Sequence, residues 1–378
     1  MTGGENGMEG QWIGIAEGTN AGLVVVDIDH MGNHYAGHAY LFESDPNAPS
    51  TLARLQTTAI ETRFDLKDCP LVPVHPEAPM VLSRDDLERD FADMEFPTSA
   101  DISLELTPDG LMAEWKTGIG TGGRALLHPS QADRPSNVKP VATVTTWSEF
   151  KTFALSLPPR QYIFRGQDCC KRLRTSFHRT RRKDLVTYLN VDLPNAHHVL
   201  TARTKHLFNL LNPVENGAFL NLLQHHGYPT PLLDWSYSPF VAAFFAYRFR
   251  RAREPDDRNV RILCFDKGSW EKDFGQVQTI AFARPHFSIM EALTIENLRA
   301  MPQQSLSSVT SLDDIESYLL ERQEQTGVEY LRAIDLPFSE RRNVMDELSL
   351  MGITAGSLFP GLDGACEELR GRYFHPFD

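Results

Sequence analysis

No stretch of this 378-residue chain approaches the roughly twenty consecutive apolar residues of a membrane-crossing helix. Its first residues, Met1-Thr-Gly-Gly-Glu-Asn-Gly7, lack the basic-then-apolar pattern of a secretory signal, so a cytoplasmic protein is expected. Cysteine is scarce: of five, Cys69, Cys264 and Cys366 stand alone and Cys169-Cys170 are adjacent. Adjacent cysteines rarely bridge each other, and no Cys-x-x-Cys spacing exists, which argues against a disulfide scaffold and a cysteine zinc site. Positive charge is short in one part of the chain only. Residues 1–140 hold nine Lys and Arg against twenty-two Asp and Glu, while the remainder balances, so the net charge of −13 arises entirely in the first part. That asymmetry supports a boundary near residue 140 and argues against nucleic-acid binding by the N-terminal part.

What is there reads as two domains. Residues 1–127 form an acidic β-rich domain, residues 128–140 a proline-containing linker, and residues 141–378 a second domain. Leu23-Val-Val-Val-Asp-Ile-Asp29 reads as a strand, Met31-Gly-Asn33 as a turn and His34 to Phe42 as the partner strand. Asp101 to Leu106, the turn Thr107-Pro-Asp-Gly110 and Leu111 to Trp115 form a second hairpin. A short helix is predicted around Ser83 to Met94, with Ser83 as N-cap and Asp85 and Asp86 at the positive end of its dipole. The expected architecture is a small antiparallel barrel or sandwich, with a helical hairpin as the weaker option. Gly118-Ile-Gly-Thr-Gly-Gly123 lacks the Lys-Ser/Thr ending and the following helix of a phosphate loop, and reads as a hairpin tip.

The second domain mixes helices and strands without a βαβ rhythm, which predicts an α+β fold. Thr146 and Glu149 form a capping box at a helix start. Val260 to Phe265 reads as a strand, and residues 194–211, Leu312 to Gln325 and Arg341 to Leu350 as helical. Two segments carry the chemistry. Tyr162-Ile-Phe-Arg-Gly-Gln167 is a buried strand ending on an arginine. Gln224-His-His-Gly-Tyr-Pro-Thr-Pro-Leu-Leu-Asp-Trp-Ser236 is a polar turn entering a short strand, followed by the apolar helix Pro239 to Tyr247 and the basic stretch 248–253.

Arg165 at a strand end offers a guanidinium fork to a phosphate or carboxylate; the alternative is a structural ion pair with Asp234. Gly166 lets the backbone turn or a ligand approach. Of His225 and His226, one is expected to face a pocket and act as a proton shuttle or donate to Asp234. A metal role finds no third ligand nearby. Asp234-Trp235 is expected to form a hydrogen-bonded corner, the indole N–H or backbone amides satisfying the carboxylate. Lys171 to Lys183 holds seven Lys and Arg in thirteen residues. It reads as a nucleic-acid grip, as a solvated segment offsetting acid elsewhere or, between the two, as a contact to a phosphate-bearing small ligand beside Arg165.

These segments, with Ser357-Leu-Phe-Pro-Gly-Leu-Asp-Gly364, resemble the FRG domain family over roughly Val141 to Tyr373. Pro231 stands where members commonly carry arginine. The order of elements is also similar to the Arg-Ser-Glu class of ADP-ribosyltransferases. That resemblance implies NAD as substrate, with Arg165, Ser236, Gln304 and His226 as catalytic residues. It further implies Arg165, Gly166, Gln167, His225, Asp234 and Trp235 around the nucleotide, and a protein or nucleic-acid acceptor. No Gln/Glu-x-Glu stands at the expected third element, and Glu291 and Glu296 fall on a segment that reads as helix. The resemblance suits an NAD-cleaving toxin or anti-phage effector whose N-terminal domain binds a partner or trigger. The other readings are a non-catalytic nucleotide or peptide recognition module and a nucleic-acid-binding protein.

Overall fold

Period-two alternation over the first 130 positions resolves into eight strands. They are β1 (Gly10–Gly18), β2 (Gly22–His30), β3 (Tyr35–Glu43), β4 (Ser50–Gln56), β5 (Arg63–Val74), β6 (Ser99–Thr107), β7 (Gly110–Thr117) and β8 (Gly122–Pro129). Each pairs antiparallel with the next, and β1 pairs with β8, closing a barrel. The structure is a computed structural model describing residues 7–248 and 257–374, so the basic stretch 249–253 lies outside the described residues. Helix α1 (Arg84–Asp90) is shorter than its pattern, but Ser83 caps it in a capping box with Asp86. The Gly118–Gly123 segment is the turn into β8, as the absence of a following helix requires. Strand β5 continues through Pro70 and Pro73, residues that argue against a strand. A bulge between Leu66 and Cys69, with Asp68 at φ 49°, breaks the alternation that would reveal it.

The C-terminal region is built on one six-stranded sheet. Its elements run α2 (Trp147–Ser156), β9 (Tyr162–Gln167), α3 (Leu185–Thr187), a π-helical turn, α4 (Leu193–Leu200), α5 (Pro213–His225), β10 (Leu232–Ser236), α6 (Pro239–Tyr247), β11 (Asn259–Asp266) and α7 (Lys267–Asp273). Then follow β12 (Phe287–Met290), β13 (Ser305–Thr310), α8 (Ile315–Thr326), β14 (Leu331–Pro337), α9 (Arg341–Leu350), α10 (Ala355–Leu358) and α11 (Leu362–Phe374). The sheet order is β12-β13-β10-β9-β11-β14, with antiparallel neighbours throughout. Residue 291 onward, read as helix, instead leaves β12 in turns: Glu296 sits at φ 56° and accepts the amides of Lys205 and His206.

Strand β9 is buried on both faces because helices cover both. Tyr162 and Phe164 pack with α2, α6 and α9, while Ile163 packs on the opposite side with Trp235, Trp270 and Leu319. An added Cβ at Gly166 would sit 1.9 Å from the Ala242 carbonyl, so this glycine lets α6 lie directly on β9. Helix–strand packing, rather than ligand approach, is what fixes Gly166.

The barrel leans on the C-terminal region through β2, β3 and β4. Val25, Tyr40, Phe42 and Leu52 pack on Val186 and Ala281. Polar bonds ring this contact. The Asp29 carboxylate accepts Arg182 Nε and the amides of Lys183 and Asp184. His38 Nδ1 lies 2.9 Å from Asp184 Oδ2, and Gln11 Nε2 bridges Asp27 Oδ1 (2.9 Å) and the Ser311 carbonyl (2.8 Å). Of the acid of the first part, Asp29 and Asp133 pair with base of the second among the described residues. Arg172, Arg174, Arg182 and Lys183 of the basic segment are engaged with Asp314, Asp313, Asp29 and backbone carbonyls. The segment is neither helical nor wholly solvated.

Candidate active site

Beside α6 the sheet comes apart. Strand β9 pairs with β11 over six residue pairs, Tyr162–Asp266 to Gln167–Arg261, but with β10 only at Phe164–Ser236. Beyond that pair the two strands diverge, and a cleft of about 950 Å³ opens where they part. The carbonyl of Asp234 has lost its ladder partner on that side, and Arg165 Nη1 supplies the donor at 2.6 Å. The expected ion pair of Arg165 with Asp234 is thus corrected. The guanidinium bonds to the residue's backbone, and no carboxylate lies within ion-pair distance among the described residues.

Four buried side-chain atoms in residues of the cleft wall have no hydrogen-bond partner among the described residues: Arg165 Nε, Gln167 Oε1, His225 Nε2 and Asp234 Oδ1. An orphaned buried polar atom costs about 1–3 kcal/mol, so four in one wall mark strain that the fold alone does not relieve. Burial presses the Arg165 guanidinium down to about 10, against the pull of Asp234 and with the push of Arg179. Burial likewise holds the His225 imidazole below its usual value, with Asp234 opposing. Burial thus disfavours the charged form of both side chains, and no carboxylate stands within ion-pair distance of Arg165 among the described residues.

The polar turn is a brace. Gln224 Nε2 donates to the Leu232 carbonyl (3.1 Å) and to Asp234 Oδ2 (3.2 Å), while its Oε1 accepts from Ser176 Oγ (3.0 Å) and Thr230 Oγ1. One amide thus ties the turn, the strand and the basic segment together. Pro229 also offers its carbonyl to Tyr188 at 3.0 Å. Gln167 plays the same part across the mouth, donating to the Lys171 carbonyl at 2.8 Å.

Several expected residues are placed elsewhere. Trp235 lines the cleft but is otherwise core, and its indole donates to Ser308 Oγ at 3.0 Å rather than to Asp234. Ser236 lines the cleft, yet its hydroxyl is filled on both sides, donating to the Gln303 carbonyl (2.7 Å) and accepting the Ser238 amide (3.0 Å). His226 is the exposed C-cap of α5 and does not line the cleft; His225 does. Gln304 is exposed outside it, because a left-handed turn at φ 46° swings its side chain away. Gln303 takes the inner position and donates to the Leu358 carbonyl at 3.0 Å.

Sequence reasoning missed Phe245, Phe359, Gln303 and Arg179. Phe359 belongs to the late Leu-Phe-Pro segment, and its ring carries Arg248 at 4.0 Å and Arg299 at 5.4 Å. Arg299 also donates to the His225 carbonyl (2.7 Å), joining that segment to the polar turn. Arg179 stands exposed on the cleft lining, with no ion pair among the described residues. The adjacent cysteines line the cleft too, but burial pushes the Cys170 thiol up to about 11 and raises Cys169. Neither is an activated thiolate.

Among the described residues the carboxylates of the wall are Asp133, Asp168 and Asp234. Asp133 pairs with Arg174, and Asp234, half satisfied by Gln224, is the carboxylate whose charge acts on Arg165. No helix among the described residues is long and apolar enough to cross a membrane. No curated protein and no solved structure matches this chain. The stretch that carries β9, α5, β10 and α6, residues 160–255, matches the family model of the FRG domain.

Proposed function

We propose that the cleft binds a pyrophosphate-bearing dinucleotide of the NAD type and cleaves its bond between nicotinamide and ribose. The observation that carries this reading is Arg165: half-buried, with one backbone hydrogen bond, an enclosed and unpaired Nε and no carboxylate within ion-pair distance among the described residues. A ligand phosphate would supply that counter-charge, with Arg179 and Lys171 on the same lining. Phe245 and Phe359 offer flat apolar surface for a base or pyridine ring. Cleavage leaves the glycosidic electron pair on nicotinamide and a cationic ribosyl carbon, which Asp234 would stabilise. Water or an acceptor hydroxyl then adds to that carbon and gives up its proton, for which neutral His225 is the nearby base. Arg165 on β9 and Ser236 on the adjoining β10 keep the order of the Arg-Ser-Glu transferases, with Ser236 shaping the wall rather than reacting.

Purified chain is expected to release nicotinamide from NAD, with or without added cell lysate as acceptor. Arg165→Met and Asp234→Asn should each lower release by about a hundredfold while both variants remain folded. Unchanged release in Arg165→Met would overturn the reading. Saturable NAD binding without release would favour the second reading, recognition without chemistry. The cleft's lack of a glutamate among its described residues speaks for that alternative.

A further inference from the structure

The barrel is hollow at one end and packed at the other. At the packed end Trp12, Ile28, Tyr35, Phe64, Leu111 and Leu127 meet in the interior. At the opposite end, where the β1–β2, β3–β4, β5–β6 and β7–β8 connections lie, the inward positions include Ala39, Ala53, Ala100 and Ala113. Ala39 and Ala53 stand directly opposite each other on β3 and β4, so their missing volume adds up. The result is a cavity of about 270 Å³. An eight-stranded barrel is just wide enough to be filled by side chains or to hold one small ligand. An apolar cavity of roughly 150 Å³ already accepts benzene.

The walls are apolar apart from the mouth, which Glu43, 4% exposed, and the solvent-exposed Glu95 line. Glu43 Oε1 accepts Asn20 Nδ2 at 2.6 Å, and among the described residues Oε2 meets no donor. Met94 and Ile119 line the same end and remain 46% and 38% exposed, an apolar rim on an otherwise acidic part of the chain. We infer that the barrel is a binding site for a small, largely apolar molecule carrying one hydrogen-bond donor, which Glu43 receives at the mouth. This site is independent of the cleft and of its proposed chemistry. Between the cavity-lining Ala39 and Leu41, the Tyr40 hydroxyl accepts the Phe282 amide at 3.3 Å, in the contact between the barrel and the C-terminal region.

The test uses the whole chain and the fluorescent probe 1-aminoanthracene, an apolar ring system with one amino donor. Saturable fluorescence enhancement at one probe per chain is expected. Ala113→Phe, which fills the cavity, should weaken it about tenfold or more with the thermal midpoint held or raised. Ala53→Leu serves as a second filled variant if the first misfolds. Arg165→Met should bind the probe as the parent chain does, and Glu43→Leu should erase any preference for the amine over anthracene. No enhancement, undiminished binding in the filled variants, loss in Arg165→Met, or equal binding of amine and anthracene by the parent would each overturn the inference.

Discussion

The two cavities of this molecule arise in opposite ways. The barrel's cavity is made by subtraction, alanines standing where neighbouring levels carry leucine, phenylalanine and tryptophan. None of the enclosed, unpartnered side-chain polar atoms among the described residues lies in its wall, so emptiness there costs mainly lost packing. The cleft is made by splitting, two strands that pair once and then part, and its walls hold polar atoms without partners among the described residues. Emptiness there costs desolvation of charge, which is the heavier penalty for each atom involved. The difference teaches what to look for: missing volume suggests an apolar guest, and missing counter-charge suggests an anionic one.

Arg165→Met breaks the comparison most sharply. Removing Arg165 strands only the Asp234 carbonyl that its Nη1 serves, so stability should fall by no more than about 1–3 kcal/mol. Ligand binding and nicotinamide release should fall by about a hundredfold in the same variant. A large stability loss, read by urea unfolding, would mean that the guanidinium is structural. Next in size is Gly166→Ala, whose methyl would meet the Ala242 carbonyl and the Ala246 amide at 1.9 and 2.7 Å. Both are helix backbone, so α6 must move, at a cost of about 3 kcal/mol in urea unfolding. A cost near zero would show that α6 sits loosely on the cleft floor.

Asp29→Ala addresses the seam between the two regions. It strands the Lys183 and Asp184 amides and leaves Arg182 with Asp192 alone, for a loss of about 2–3 kcal/mol. A single unfolding transition should also separate into two when followed by probes in each region. An unaffected transition would make the barrel and the sheet independent units.

The smallest effect concerns pH. Burial raises the Asp27 carboxyl well above its usual value, offset in part by the Gln11 hydrogen bond, and Asp29 is raised in the same way. A raised folded-state value means that the folded chain binds more protons than the unfolded one between the two values, so stability falls as pH rises through that window. Asp27→Asn keeps an acceptor for Gln11 and removes this slope. The variant should gain on the parent as pH rises from the unfolded-state value, measured by urea midpoints at several pH values. Parallel curves would show that Asp27 is ionised in the folded chain.

Legibility in the sequence followed the kind of interaction. Helix α6 and the capped starts of α1 and α2 were plain because their signals are local: a charge-free apolar run in one, a cap residue and its partner in the others. The polar wall was legible as well, since Arg165, Gln167, His225 and Asp234 sit in two short segments rich in hydrogen-bonding groups. Which neighbour faces inward was not. Gln303 rather than Gln304 enters the cleft because of one left-handed residue, and His225 rather than His226 because α5 ends between them. Strands β12, β13 and β14 and the bulged β5 depend on partners distant in sequence, and the cavity's four alanines are unremarkable until the barrel closes.

The central claim is that the split between β9 and β10 binds a dinucleotide through Arg165. Calorimetric titration of the full chain with a carba analogue of NAD, which cannot lose nicotinamide by hydrolysis, separates that binding from turnover. One site per chain in the parent protein and no measurable heat in Arg165→Met is the expected result. Equal binding by both proteins, or none by the parent, would contradict it.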